Sequence, residues 1–120
     1  MSEYKLAEAE ARFAGLIWAN APIASMELVK LSEKEMGWKK PTTFTVLRKL
    51  CQKGLFKNEG SVVSVVMTRD EYLSGQSRSY IEDTFGGSLP RFLTAFMGTG
   101  RLSGKQAEEL KRLIDEYRED

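Results

Sequence analysis

The chain has 120 residues, of which 42% are hydrophobic and 29% are charged, and its formal net charge is +1. This composition excludes a disordered chain and suits one compact domain, or a small domain with an appended piece. There is no apolar run near the roughly 20 residues of a membrane helix and no signal peptide pattern, so we expect no membrane insertion. The single cysteine, Cys51, cannot form an internal disulfide, which favours a cytoplasmic protein.

The charges are distributed unevenly along the chain. Between residues 36 and 58 there are six basic residues and no acidic residue, whereas the remainder carries a net charge of −5. Such asymmetry indicates a nucleic-acid contact, although a solvated helix face explains it equally well. The six basic residues are Lys39, Lys40, Arg48, Lys49, Lys53 and Lys57.

Three helices are predicted in the first half of the chain. Apolar residues at helical spacing predict the first helix over about 7–20. Ser25 is the expected N-cap of the second helix, which ends at Gly37. The third helix has Pro41 in its first turn, where no amide donor is needed, and ends at Gly54.

The pattern changes after the third helix. Residues 55–57 and 62–67, separated by a turn at 58–61, predict a β-hairpin whose second strand is rich in β-branched valines. Three helices followed by a hairpin are typical of a winged helix-turn-helix domain, which we place at residues 1–68. The fold class is therefore mainly α with a small β-hairpin.

Helical spacing gives the third helix a buried stripe and an outer face. The expected buried residues are Thr43, Val46, Leu47, Leu50 and Cys51. In a helix-turn-helix domain, the outer face and the first turn enter the major groove of DNA. The candidate DNA-binding residues are Lys39, Lys40, Thr42, Phe44, Thr45, Arg48 and Lys49.

Each candidate has a chemical role and an alternative. Arg48 could read guanine or bind phosphate, and the lysines before the helix could hold phosphates near its N-terminus. The threonines could contact phosphates or thymine methyl groups, and Phe44 could pack on those methyls. Alternatively, the fold covers Phe44, Thr42 is only a helix cap, and Lys53 and Lys57 only solubilise the surface. Trp38 is interpreted as a packing residue, and Cys51 as a buried, inert thiol.

Residues 69–120 are predicted to form a C-terminal helical dimerisation domain. The segment "TRDE" is a capping box that begins a helix at Thr68, and a second capping box begins the last helix at Ser103. Three short helices bury little surface alone, so their apolar faces either close an intramolecular core or form a two-fold interface. We favour the interface, with Phe85, Leu89, Phe92, Leu93, Phe96, Leu110, Leu113, Ile114 and Tyr117 as its candidate residues.

Three segments carry a resemblance to a known family. They read "LAEAEARFAGLIWAN", "WKKPTTFTVLRKLCQKGLF" and "SLPRFLTAFMGTGRLSGKQAEELKRLIDEY". Over almost its whole length, the chain resembles the BlaI/MecI/CopY penicillinase-repressor family of bacterial transcriptional regulators. The resemblance implies a homodimer that represses transcription from a palindromic double-stranded DNA operator.

The sequence departs from both inducible branches of that family. In the antibiotic-responsive branch, a membrane sensor's signal leads to cleavage of an Asn-Phe bond, whose place is taken here by Ala95-Phe96. Cleavage there by a sensor-linked protease, cleavage at another bond, and control by a ligand or partner stay open. The Cys-x-Cys pair of the copper-responsive branch is absent, and the hairpin turn lacks basic residues.

Two function classes remain after the exclusions. The first is a dimeric DNA-binding repressor, and the alternative is a winged-helix protein-interaction module with little DNA affinity. An enzyme is not expected, because the sequence has no histidine, no P-loop and no dinucleotide-binding fingerprint. We likewise expect no cofactor and no metal ion.

Overall fold

A computed structural model describes residues 6–119 of the chain. This part of the chain forms mostly helices, together with a small sheet, which confirms the predicted fold class. The elements are α1 (Glu8–Asn20), β1 (Ile23–Ala24), α2 (Ser25–Met36), α3 (Lys40–Gln52), β2 (Phe56–Glu59), β3 (Val62–Val65), α4 (Arg69–Phe85), α5 (Leu89–Met97) and α6 (Gly104–Tyr117).

The chain divides into two compact units between Tyr80 and Ile81, within α4. The first part of α4 belongs to the first unit, where the Tyr72 ring lies 5.5 Å from the Trp18 ring. The second unit contains the end of α4 together with α5 and α6. The domain division expected at residues 68 and 69 coincides with the start of α4 and stays a prediction.

The sheet has three antiparallel strands in the order β1-β3-β2. Its hairpin turn consists of Gly60 and Ser61, whose φ angles are 58° and 62°. Two consecutive left-handed residues give the turn geometry that matches the twist of paired strands. The hairpin was predicted, but β1 was not, because two residues are too short to show an alternating pattern.

The core lies in the first unit, where α1, α2 and α3 pack against the sheet. Leu47 and Leu50 bring the buried side of α3 into it, and Thr43 is also buried, as the stripe predicted. Val46 and Cys51 are only partly buried at the edge of this cluster. The buried apolar residues are Phe13, Ala14, Ile17, Leu28, Leu47, Leu50, Leu55, Phe56 and Val63.

Both tryptophans support this core. The Trp38 ring packs 5.2 Å from the Phe13 ring, which confirms the packing role predicted for Trp38. The Trp18 indole N–H donates a hydrogen bond of 2.9 Å to the Met67 carbonyl. Its ring lies 5.3 Å from that of Phe56. Trp18 therefore joins α1 to the hairpin and to the segment that leads into α4.

The N-cap predicted for α2 is wrong by one residue. The cap position is Ala24, which has no side-chain cap bond, and Ser25 is the first helical residue. The Ser25 amide donates a hydrogen bond of 2.8 Å to the Ser61 carbonyl in the hairpin turn. Because a tertiary contact satisfies this amide, the helix start does not depend on a hydroxyl cap. Gly37, with φ 70°, ends α2 as predicted.

The two predicted capping boxes are confirmed. The Glu71 amide donates to Thr68 Oγ1 at 3.1 Å, and the Thr68 amide donates to Glu71 Oε1 at 2.8 Å. The Gln106 amide donates to Ser103 Oγ at 3.1 Å, and the reciprocal bond is 3.4 Å long. Both boxes use residues three positions apart, so the sequence alone contains the whole motif.

One buried polar contact joins α2 to α3. Thr43 Oγ1 donates a hydrogen bond of 2.9 Å to Ser32 Oγ, and both side chains are fully buried. A buried hydroxyl that is left without a hydrogen-bond partner destabilises the fold. Replacing both hydroxyls by apolar groups of the same shape changes the stability much less. The bond therefore favours the packing arrangement of α3 on α2 that brings the two hydroxyls within hydrogen-bond distance.

We expect Ser32→Ala to lower the free energy of unfolding by about 1–3 kcal/mol, because it leaves the Thr43 hydroxyl buried without its partner. The double variant Ser32→Ala, Thr43→Val should lose less than the sum of the two single losses. Urea unfolding followed by circular dichroism measures both, with Ser74→Ala on the exposed side of α4 as control. Strictly additive losses would show that the two hydroxyls do not interact.

Candidate nucleic-acid interface

The first turn of α3 is exposed and basic. Lys39 occupies the N-cap position with extended backbone, Lys40 is the first helical residue, and Pro41 lies in the first turn as predicted. No acidic residue lies in that turn. Because the free amides of a helix N-terminus carry partial positive charge, this turn and its two lysines form a site suited to an anion.

Three predicted contact residues follow on the exposed face of α3. Thr42, Thr45 and Arg48 are all exposed, and they lie on the side opposite Leu47 and Leu50. The Thr45 hydroxyl donates to the Pro41 carbonyl at 2.9 Å. While this bond persists, Thr45 offers an outside partner its methyl group and its acceptor lone pairs, but no hydrogen.

Phe44 differs from its predicted neighbours. Its ring is partly buried and packs against the hydrophobic core. Together with Arg48, Cys51 and Asn58 it lines a shallow pocket of about 250 Å³. This agrees with the alternative in which the fold covers Phe44. A contact between Phe44 and DNA stays a prediction.

Lys49 lies on the exposed face but has an acidic partner. Its Nζ is 2.9 Å from Glu10 Oε2, and the Nζ of Lys53 is 3.6 Å from Glu10 Oε1. Lys57 on β2 pairs with Glu59 at 3.3 Å. Three of the six basic residues of the segment therefore have a carboxylate nearby, although the segment itself contains none.

Sequence reasoning missed Glu10, yet a signal for it was present. Glu10, Phe13 and Ile17 recur at the spacing that places residues on one face of a helix, and the last two are fully buried. An ionised side chain on a core-facing stripe needs a partner. Only the folded chain identifies that partner as Lys49, because the two residues lie far apart in sequence.

The environment of Glu10 favours its ionised form. Its side chain is only 12% exposed. The hydrogen bond from Lys49, followed by the one that the Ala7 amide donates, lowers the pKa of the carboxyl from its ordinary value. The position in the first turn of α1 also suits a negative charge.

Comparisons with known proteins identify the family of this chain. A family model described as penicillinase repressor matches residues 6–116. The chain belongs to the penicillinase repressor family. It is 27% identical to the penicillinase repressor of Bacillus licheniformis over 118 residues, which cover 95% of this chain and 92% of that protein. Membership confirms the predicted BlaI/MecI/CopY family and the predicted class, since members of the family are transcriptional regulators and not enzymes.

The hairpin of β2 and β3, which is the wing of the winged helix, has no basic residue at its turn. The turn residues Gly60 and Ser61 follow Glu59, whose carboxylate is exposed beside Lys57. An exposed pair of this kind contributes little to stability, but it lowers the positive charge that the wing presents. The turn of the hairpin therefore adds no positive charge to that of Lys39, Lys40 and Arg48.

The second unit exposes its apolar residues. Among residues 6–119, which the structure describes, no residue of α4, α5 or α6 is buried. The Phe85 and Phe92 rings are 5.6 Å apart, and Phe92 and Phe96 are 6.1 Å apart. The exposed large apolar side chains of the second unit are Leu89, Phe96, Met97, Leu113, Ile114 and Tyr117. Of the predicted interface residues, Phe85, Phe92, Leu93 and Leu110 are partly buried and the other five are exposed. The two-fold interface stays a prediction.

Residues 6–119 give little support for a metal site, a membrane-spanning helix or a reactive thiol. There, no group of three histidine, cysteine, aspartate or glutamate side chains is placed to hold a metal ion. No helix in that range has the length and apolar character to cross a membrane. Burial raises the pKa of the Cys51 thiol, which disfavours the reactive thiolate. Ala95 and Phe96, the pair in place of Asn-Phe, are both exposed within α5.

The lowered pKa of Glu10 predicts a pH-dependent contribution to stability. A carboxyl whose pKa is lower in the folded state stabilises the fold above its unfolded pKa, near 4.5, and this contribution is lost as the pH falls through the folded pKa. The free energy of unfolding of Glu10→Gln should therefore lie below that of the unmodified chain at pH 7, and the two should converge toward pH 3. Urea unfolding at a series of pH values measures this gap.

The control for this prediction is Lys49→Met, which removes the largest cause of the pKa shift. In that background, the pH-dependent gap that Glu10→Gln produces should be smaller. A gap that stays constant from pH 7 to pH 3 would contradict the stabilising pair.

Proposed function

We propose that this chain is a dimeric repressor that binds a palindromic operator with α3 in the major groove. The observation that carries the proposal is the two-sided character of α3. One side is fixed in the core by Leu47 and Leu50, while the other presents Arg48 and a basic first turn to solvent. Membership of the penicillinase repressor family supports a DNA-binding repressor in general.

Within this proposal, each exposed group has a distinct task. Lys39 and Lys40 bind phosphates beside the N-terminus of α3, where the helix amides add attraction for anions. Arg48 reaches a guanine edge or a phosphate, as its planar, bidentate donors allow. Thr42 and Thr45 contact phosphates or thymine methyl groups. Phosphate contacts fix the position of the helix, and base contacts supply the sequence preference.

A palindromic operator calls for two copies of α3 related by two-fold symmetry. The exposed apolar faces of the second unit supply the surface that a partner copy would cover. A monomer gains nothing from leaving Phe96, Ile114 and Tyr117 in water, whereas burial between two chains is favourable. We therefore place the homodimer interface on residues 81–120 and the DNA-binding domain before them, in a cytoplasmic protein.

The release signal belongs to the same proposal. Ala95 and Phe96 are both exposed within α5, so cleavage between them would break the helix that carries part of the proposed dimer surface. A sensor-linked protease is thus a candidate partner. Cleavage at another bond and control by a ligand or partner are the alternatives.

A second function is favoured by one feature, the low charge of the wing. With Lys57 beside Glu59 and no basic residue at the turn, the wing offers no phosphate anchor. A winged-helix protein-interaction module with little DNA affinity would have this property. Salt dependence separates the two functions, because only DNA binding through phosphates releases counterions.

Arg48→Ala should weaken binding by about 1–3 kcal/mol per protomer, because it removes a contact to a base or phosphate without touching the core. Fluorescence anisotropy measures this with duplexes that tile the DNA upstream of the chain's own gene. Each duplex is titrated at two salt concentrations, and a scrambled duplex shows the sequence preference. Arg101→Ala removes the same charge from the second unit and serves as the matched control.

Two results would count against the proposal. Unchanged binding by Arg48→Ala would remove α3 from the interface. Weak, salt-independent binding of the unmodified chain to every duplex would favour the protein-interaction module instead.

Phe96→Asp should convert the dimer to a monomer and weaken operator binding, because it places a charge within the proposed apolar interface. Sedimentation equilibrium gives the mass, and anisotropy gives the binding. Thr94→Asp adds the same charge to an exposed position of α5 that is not on the apolar stripe, and should leave the mass unchanged. An unmodified chain that sediments as a monomer at micromolar concentration would overturn the dimer.

A further inference from the structure

Glu10 occupies an unusual place for an acidic residue in a DNA-binding unit. It lies on the core-facing side of α1, and its carboxylate reaches the second half of α3, the helix proposed to read DNA. One oxygen is 2.9 Å from Lys49 and the other is 3.6 Å from Lys53. Among the described residues, Arg48, the neighbour of Lys49, has no such ion pair.

The carboxylate has a hydrogen bond in addition to its contacts with the two lysines. Its Oε1 also accepts a hydrogen bond of 3.1 Å from the Ala7 amide, and its place in the first turn of α1 is favourable for a negative charge. The Glu10 side chain is 12% exposed and the Lys49 side chain is 55% exposed, so solvent and salt screen this pair mainly from the lysine side. A DNA phosphate that attracts Lys49 therefore competes with a partner that is already in place.

We propose that Glu10 is a specificity-determining residue, which holds Lys49 and Lys53 away from DNA phosphates and thereby lowers the affinity for DNA of any sequence. This inference rests on the proposed function, and it assigns Lys49 a different task from the direct DNA contact expected from the sequence. Glu10 itself does not touch DNA and acts through the lysines.

The reason lies in the two parts of DNA recognition. Contacts to phosphates contribute equally to every sequence, whereas contacts to base edges favour one. Lysines free to bind phosphate would strengthen binding to the whole genome, and the operator would gain little advantage. A fixed carboxylate that occupies them leaves the phosphate contacts to Lys39 and Lys40, and leaves discrimination to Arg48. Specificity for the operator is then obtained by weakening the complexes with DNA of other sequences.

The test compares Glu10→Gln with the unmodified chain on two duplexes, one from the upstream DNA and one scrambled. We expect Glu10→Gln to bind the scrambled duplex about threefold more tightly or better at low salt, and the ratio of the two affinities to fall. The plot of log affinity against log salt should steepen by about 0.9 in each protomer for the release of Lys49. Circular dichroism at the assay temperature verifies that the variants are folded.

Two controls separate the ion pair from a general effect of charge. Glu8→Gln removes the same charge from an exposed position of the same helix. It should change the affinity ratio and the salt slope less than Glu10→Gln does. In a Lys49→Ala, Lys53→Ala background, Glu10→Gln should have little effect, because the lysines that it would release are gone.

The outcomes are distinct. A gain in scrambled-duplex binding that disappears in the lysine-free background supports the inference. A folded Glu10→Gln chain that binds both duplexes like the unmodified chain overturns it, and so does a gain that persists undiminished without the lysines. If no variant and not even the unmodified chain binds DNA in a salt-dependent manner, the proposed function fails and the inference fails with it.

Discussion

The burial of one side of α3 is the constraint on which the rest of the first unit depends. Leu47 and Leu50 are almost completely removed from water against α1, α2 and the sheet. Since a helix that is held on one side cannot rotate, the exposed side has a fixed direction. The hydrogen bond between Thr43 and Ser32 then selects one position of α3 along α2. A surface prepared in this way loses little conformational freedom when it binds a partner.

Charge is organised by the fold rather than by the order of residues. Along the sequence, the segment that contains α3 is wholly basic. In the folded chain, Glu10 approaches this segment from α1, and Glu59 lies beside Lys57 on the same strand, β2. Among the described residues, the basic side chains of this segment that have no carboxylate partner are Lys39, Lys40 and Arg48, at the first turn and middle of α3. The folded surface is less basic than the sequence suggests, but its positive charge is directed to one place.

Features that depend on nearby residues could be predicted from the sequence, and those that depend on distant ones could not. Helix periodicity, the Thr68 capping box and the glycine at the end of α2 involve neighbours within four residues, so their pattern is visible in the sequence. β1 forms only because β3 is present to pair with it. The Glu10 pair likewise needs the packing of α1 on α3. The exposed basic turn was predicted because it requires only the helix itself.

The two units obtain their stability in different ways. The first unit has a closed core, whereas no described residue of α4 to α6 is buried within one chain. In the proposed dimer, the second unit would gain its apolar burial from the partner, so its stability would depend on protein concentration. Operator binding by two copies of α3 depends on the same association. Damage to the exposed apolar side of α5 would then release the DNA without any change to the surface that reads it.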